Sequence, residues 1–289
     1  MDATLIPEVL AVHPPTVEPL PLVLDSPHSG NHYPADFAPA LAMGRLAMGE
    51  DRFVDELVAD APQHGAPLLR ALFPRVYLDP NRDETDLDPA LLAEDWPDAL
   101  SPTEKSRVGM GLIWRLLGGE TPIYARKLTV AEVKRRLVHY YWPYHRHLQE
   151  LLDGAYKGFQ GVWHLNCHSM PSVSSVQHRE GVGVARPDIT LADGVGRTCE
   201  PDFIEFLRER LMARGYEVKL NDPYRGATLV HRYADPAQNR HSLMIEINRR
   251  LYMDEATLAR NDNFPVLYRD LGEVIGELAD FVRERTAGA

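Results

Sequence analysis

The sequence predicts an α/β fold, a sheet covered on both faces by helices. Short apolar runs cut off by Pro, Gly or charged residues alternate along the chain with segments whose apolar residues recur at helical spacing. No internal repeat and no long flexible linker interrupts the 289 residues, so one domain over 1–289 is expected. Residues 1–19 read as an irregular, Pro-rich lead-in.

Leu20 to Leu24 is an apolar run ending in Asp25-Ser26-Pro27-His28-Ser29-Gly30, a buried strand running into a loop. Asp51 to Asp60 carries Phe53, Val54, Leu57 and Val58 at helical spacing, and Pro67 to Asp79 reads as one or two strands closed by Pro80. Thr129 and Glu132 make a capping-box pattern at the head of a helix that shows Val133, Leu137, Tyr140, Tyr141 and Tyr144. That helix is expected to kink at Pro143 and continue through Leu148 and Leu151. Gly161 to Cys167 is strand-like and leads into His168. Pro201 to Arg214 is an amphipathic helix stopped by Gly215. Glu217 to Leu220 and Leu243 to Ile247 are strand-like, and Phe264 to Arg285 is a closing helix.

Composition excludes several classes of function. With 44% apolar and 25% charged residues the chain is ordinary globular sequence. A formal charge of −11 leaves no basic footprint for nucleic acid. No apolar run approaches the roughly eighteen residues that span a bilayer. Two cysteines, Cys167 and Cys199, cannot build a disulfide framework, and the first basic residue is Arg45, so a cytoplasmic protein is expected. Of the 31 basic residues only five are Lys, at 105, 127, 134, 157 and 219. Nucleotide bias accounts for such a skew, and so does carboxylate recognition by the flat, bidentate guanidinium.

The residues able to carry chemistry sit at strand ends. His28 and His168 each follow a strand, where loops of an α/β sheet converge on the ligand crevice. Imidazole is a common zinc ligand, and a catalytic zinc takes three protein ligands and water. The plainer alternative, loop histidines bonded to backbone, is weakened by finding two in the same context. Asp51 and Asp55, four apart at a helix start, are candidates for a third ligand, although acids also suit a first helical turn by its dipole. Glu246, alternating between apolar neighbours in Leu243-Met244-Ile245-Glu246-Ile247-Asn248-Arg249, is costly to bury unless paired, coordinated or functional. Arg249 points to the other face of a strand and is poorly placed to neutralise it. Asn81-Arg82 suits a grip on a substrate carboxylate, and Arg75 on the same segment suits an oxyanion. Arg82 pairing with Asp83, Glu84 or Asp86 is the competing reading. The chain has no GxSxG elbow, P-loop or GxGxxG motif, and Cys167 and His168, as strand neighbours, point apart.

Five segments together resemble the N-formylglutamate amidohydrolase family. They are Asp25-Ser26-Pro27-His28-Ser29-Gly30, Asp51 to Leu57, Tyr77-Leu78-Asp79-Pro80-Asn81-Arg82, Asn166-Cys167-His168-Ser169-Met170, and Ile245-Glu246-Ile247-Asn248 with Leu251-Tyr252-Met253-Asp254. The resemblance, which extends through Arg186-Pro187-Asp188 to Cys199, runs from about Leu20 to Leu271. It implies a three-layer αβα sandwich with a mixed, mostly parallel sheet of the zinc-carboxypeptidase kind, holding one zinc. It also implies hydrolysis of N-formyl-L-glutamate to formate and glutamate, at the end of histidine degradation. Carried over by motif, His28, Asp51 and His168 hold the metal and Glu246 is general base and acid. Asn81 and Arg82 bind the α-carboxylate, Arg75 polarises the carbonyl, and Arg225 is the candidate for the side-chain carboxylate. The family usually has Asp-Ala before this histidine, where Asn166-Cys167 stand here. Other readings keep the fold but change the substrate to another N-acyl amino acid or a peptide carboxy terminus, or drop catalysis for binding alone.

Overall fold

The computed structural model describes residues 3–176 and 180–286. Its main sheet is built from β1 (Thr4–Ile6), β2 (Leu10–His13), β3 (Leu22–Ser26), β4 (Leu68–Ala71), β7 (Val162–Met170), β8 (Ile189–Ala192), β9 (Val218–Leu220) and β10 (Arg240–Asn248). The spatial order is β1-β2-β4-β3-β7-β10-β8-β9; β5 (Leu116–Leu117) and β6 (Thr121–Pro122) pair separately. The four central strands β4, β3, β7 and β10 run parallel, β8–β9 is parallel, and β1–β2, β2–β4 and β8–β10 are antiparallel. The expected α/β fold with a mixed, mostly parallel sheet is therefore what the chain adopts.

Two apolar layers sandwich this sheet. One packs Leu22, Leu24, Leu165, Cys167, Leu243, Ile245 and Ile247 against α2 (Val54–Leu57), α6 (Pro201–Ala213) and α8 (Phe264–Thr286). The other face meets α4 (Val130–Arg136), α5 (Trp142–Phe159) and the segment between β4 and α4, which holds the one-turn α3 (Glu104–Arg107). The short helices α1 (Met43–Leu46) and α7 (Thr228–Tyr233) flank the strand ends. Period-two alternation makes the faces unequal. On β7 the odd positions Trp163, Leu165 and Cys167 join the first apolar layer, so His164, Asn166 and His168 share the opposite face, all buried. Ser242 and Glu246 do the same on β10.

The structure departs from expectation at identifiable places. The lead-in expected to be irregular over 1–19 carries β1 and β2, whose Leu10 and Val12 are buried while the edge strand β1 is largely exposed. Pro67 to Asp79 yields one strand, β4; Pro74 begins a turn with Tyr77 N–H donating to its carbonyl. The helix expected from Asp51 is a single turn, because Phe53 at φ 65° caps it in the left-handed region. The Thr129–Glu132 capping box forms as expected. Where a kink at Pro143 is expected, a π-helical turn, Leu137–Tyr141, precedes the proline, which sits in the first turn of α5. His168 lies inside β7, which runs on to Met170. No helix of the described residues is long and apolar enough to cross a membrane.

Candidate active site

The candidate residues converge at the carboxyl ends of the parallel strands, as expected of an open α/β sheet. His28 lies two residues past β3, and Arg75, Asp79, Asn81 and Arg82 follow β4. His168 and Glu246 face each other as register partners on β7 and β10, which puts both side chains on one face of the sheet. The loop after β3 is pinned through Ser29, whose hydroxyl donates to the Asp51 carbonyl (2.9 Å) and accepts from the Asp55 N–H (3.1 Å). Gly30 is required there because a Cβ would lie 2.3 Å from the Phe73 carbonyl oxygen. A cavity of about 940 Å³ opens over these residues.

His28, Asp51 and His168 offer ligand atoms that all lie within 4.8 Å of one another, and each residue is buried. Asp51 Oδ2 is 3.2 Å from His28 Nδ1 and 3.1 Å from His168 Nδ1, with the rings 4.6 Å apart. The outer ring nitrogens have their own partners. His28 Nε2 is 2.7 Å from Asp79 Oδ1, and His168 Nε2 is 2.7 Å from Asn166 Oδ1. With each ring proton assigned to Nε2, both histidines donate outward and turn the Nδ1 lone pairs toward the Asp51 oxygen. Three electron-rich atoms so arranged repel one another unless a cation lies among them. Two imidazoles and a carboxylate with outer hydrogen-bond acceptors are the donor set of a catalytic zinc, so the residues fit that metal.

Of the two acids left open by the sequence, Asp51 is the one that lies with the two histidines. Because Phe53 interrupts the helix, Asp51 and Asp55 do not share a helical face; Asp55 turns away to pair with Arg70 at 2.9 Å. Asp51 Oδ1 accepts from Arg249 NH2 at 3.1 Å and lies 3.6 Å from Arg75 NH1. Burial raises the Asp51 carboxyl, but the close His168 and His28 rings and the charge of Arg75 outweigh it and hold it well below the usual range. Asp79 is likewise pushed up by burial and held well below its usual range by Arg75, His28 and Arg82.

Glu246 differs. It is 9% exposed and, among the described residues, its carboxylate makes no hydrogen bond. Burial pushes it above the usual range, His168 opposes that and Asp51 reinforces it. Arg249, expected not to neutralise it, is engaged by Asp51, by Ser169 Oγ (3.2 Å) and by the Met48 carbonyl (3.0 Å). A carboxylate whose pKa is raised by burial, opposite His168, suits proton transfer.

The remaining candidates divide. Arg75 donates through Nε and NH2 to Asp79 Oδ2 and lines the cavity. Arg82 does not pair with Asp83, Glu84 or Asp86: it donates to the Met110 and Asn81 carbonyls, while Arg232 takes Asp83 and Glu84. Asn81 was expected to offer its amide to substrate, but its Oδ1 accepts from Leu229 N–H (2.9 Å) and its Nδ2 lies 3.0 Å from His168 Nε2. Arg225 is exposed and is not brought into the cavity, although its neighbours Tyr224 and Gly226 line it.

Three participants escaped the sequence reading. Asp79 supports His28, although only its place at a strand end had been noticed. Arg249 holds Asp51. Asn166 bridges His168 to the buried Asp25, donating to Asp25 Oδ1 at 2.6 Å, and Asp25 also accepts from Tyr144 Oη at 2.6 Å. The polar series His164, Asn166, His168 at period two on one strand was the available signal.

Fold and site together define an α/β protein with a cluster of buried ionisable side chains at the carboxyl ends of its parallel strands. The chain belongs to the N-formylglutamate amidohydrolase family, whose model matches residues 20–253. It is 28% identical over 285 residues to an N-formylglutamate deformylase of Pseudomonas aeruginosa, covering 93% of this chain and 96% of that protein. It resembles the crystal structure of an N-formylglutamate amidohydrolase from Ralstonia eutropha with a TM-score of 0.90 at 47% identity, covering 96% and 99% of the two chains. A gene product of Agrobacterium tumefaciens shares the fold at a TM-score of 0.63 and 18% identity, over 96% of this chain and 97% of that one.

Proposed function

We propose that this protein is a zinc-dependent amidohydrolase that converts N-formyl-L-glutamate and water to formate and L-glutamate. The observation that carries the reading is the Glu246 carboxylate, which lines the cavity without a hydrogen bond among the described residues and stands opposite His168 of the His28–Asp51–His168 cluster. Family membership and the names of the relatives support the substrate. A zinc held by His28, Asp51 and His168 would supply a Lewis acid and lower the pKa of its water to about 7.

The chain's own residues do the rest. Glu246, kept basic enough to accept a proton by its buried setting, takes one from the attacking water as the new C–O bond forms at the formyl carbon. It returns that proton to the nitrogen as the C–N bond breaks, so glutamate leaves as a neutral amine and formate as the acid product. Arg75 supplies positive potential to the carbonyl oxygen, and Arg82 holds the α-carboxylate. The chain acts as one domain, since the site draws on residues from His28 to Arg249 along a single sheet. Both thiols are buried and unpaired, which suits the reducing cytoplasm, and the glutamate product fits the closing step of histidine degradation.

The test is formate release from N-formyl-L-glutamate by the wild type and by Glu246→Gln. The wild type should turn over, and the variant should lose about 10²–10⁴ in kcat while keeping its metal. Absence of wild-type formate release, or undiminished activity in the variant, overturns the reading.

A further inference from the structure

One cation of the cavity has no assigned task. Lys105, on α3, lines the same cavity as Arg82, Arg75 and Glu246, and is half-buried. Its backbone N–H donates to the Thr103 hydroxyl, which caps the helix turn and fixes where the side chain begins. Among the described residues its ammonium has neither a hydrogen bond nor an ion pair. Three acids nearby in sequence are taken: Asp86 accepts from Thr103 and Ser106, and Asp83 and Glu84 pair with Arg232. Burial, reinforced by Arg82 and Arg75 and opposed by Glu104 and Glu246, lowers the Lys105 ammonium to about 8. An ammonium set among like charges without its own carboxylate is costly to keep unless an anion arrives to share it.

The position also discriminates between the two ends of a substrate. Lys105 enters the cavity from the segment between β4 and α4, whereas His28, His168 and Glu246 enter it from the sheet and its strand ends. Arg225, the earlier candidate for a second carboxylate, is exposed and outside the cavity.

We propose that Lys105 recognises the distal, side-chain carboxylate of the substrate and so sets the preference for an acidic amino acid. This rests on the reading of the site as an N-formyl amino acid hydrolase. Lys is a compact point charge on a flexible stem, suited to neutralising one carboxylate without the fixed fork geometry of Arg.

The test compares N-formyl-L-glutamate with N-formyl-L-glutamine, which has the same length but no distal charge. In Lys105→Met, KM for the glutamate substrate should rise about 10- to 100-fold relative to KM for the glutamine substrate, with Lys105→Arg restoring most of the difference. A purely structural role would move both substrates together and would not be rescued by charge. Calorimetric titration with glutarate reads the same site without turnover: the wild type should bind it about tenfold or more tightly than Lys105→Met does. If the wild type fails to release formate yet glutarate binding still depends on Lys105, the activity reading fails and the anion site stands. Equal glutarate affinity in wild type and Lys105→Met, or an unchanged ratio of KM values, overturns the proposal.

Discussion

Asp79 and Asn166 occupy equivalent places behind the two candidate metal histidines, yet one is a carboxylate and the other an amide. Asp79 is itself held by Arg75 at 2.8 Å, so its negative charge is balanced within the site. Asn166 instead stands between His168 and the buried Asp25, and its Nδ2 donates to that carboxylate. An acid at 166, usual in the family, would set two carboxylates against each other in this buried setting. That gives the departure at Asn166 a physical reason, one no reading of neighbours along the chain reveals, because Asp25 is 141 residues away. Asp79→Asn keeps the shape and removes the charge that orients His28. It should weaken metal affinity by about 10- to 100-fold in competition with a chelator, and unchanged affinity would remove Asp79 from the supporting role.

At the scale of elements, the parts legible in the sequence were those with strong periodicity or punctuation. The amphipathic α6 and α8, the Thr129 capping box and the buried runs of β3, β7 and β10 all declare themselves by local pattern. What local pattern does not carry is the pairing that brings elements together. The edge strand β1 and its neighbour β2 are short, lie among prolines, and are strands because β2 pairs with β4. The turn at Asp51 is set by the left-handed Phe53, which no propensity favours at an aromatic residue. Catalytic residues were legible as types at strand ends, whereas the choice of Asp51 over Asp55 required that turn. The loop after β3 offers a direct check: Gly30→Ala forces a methyl group against the Leu72–Phe73 backbone. It should cost about 1–3 kcal/mol in a denaturation titration and lower metal occupancy with it, whereas a neutral result would mean the loop does not position His28.

Across the whole molecule, one sheet divides its labour by face. The side against α6 and α8 is apolar and supplies cohesion, and the opposite side carries the buried polar rows of β7 and β10. Parallel strand direction then delivers His28, His168, Glu246 and the residues after β4 to one rim. The net charge of −11 gives no hint of the cations gathered there, because the Arg75–Arg82 segment, Lys105 and Arg249 come from separate stretches and meet only in the fold. The claim on which the account depends is that His28, Asp51 and His168 jointly hold one divalent ion. Elemental analysis of the purified wild type, His168→Ala and Asp55→Ala tests it most directly. The account predicts about one zinc per chain in the wild type and in Asp55→Ala, with about a tenth or less in His168→Ala. A wild type that neither contains nor takes up zinc, or a His168→Ala that retains it in full, would contradict the account.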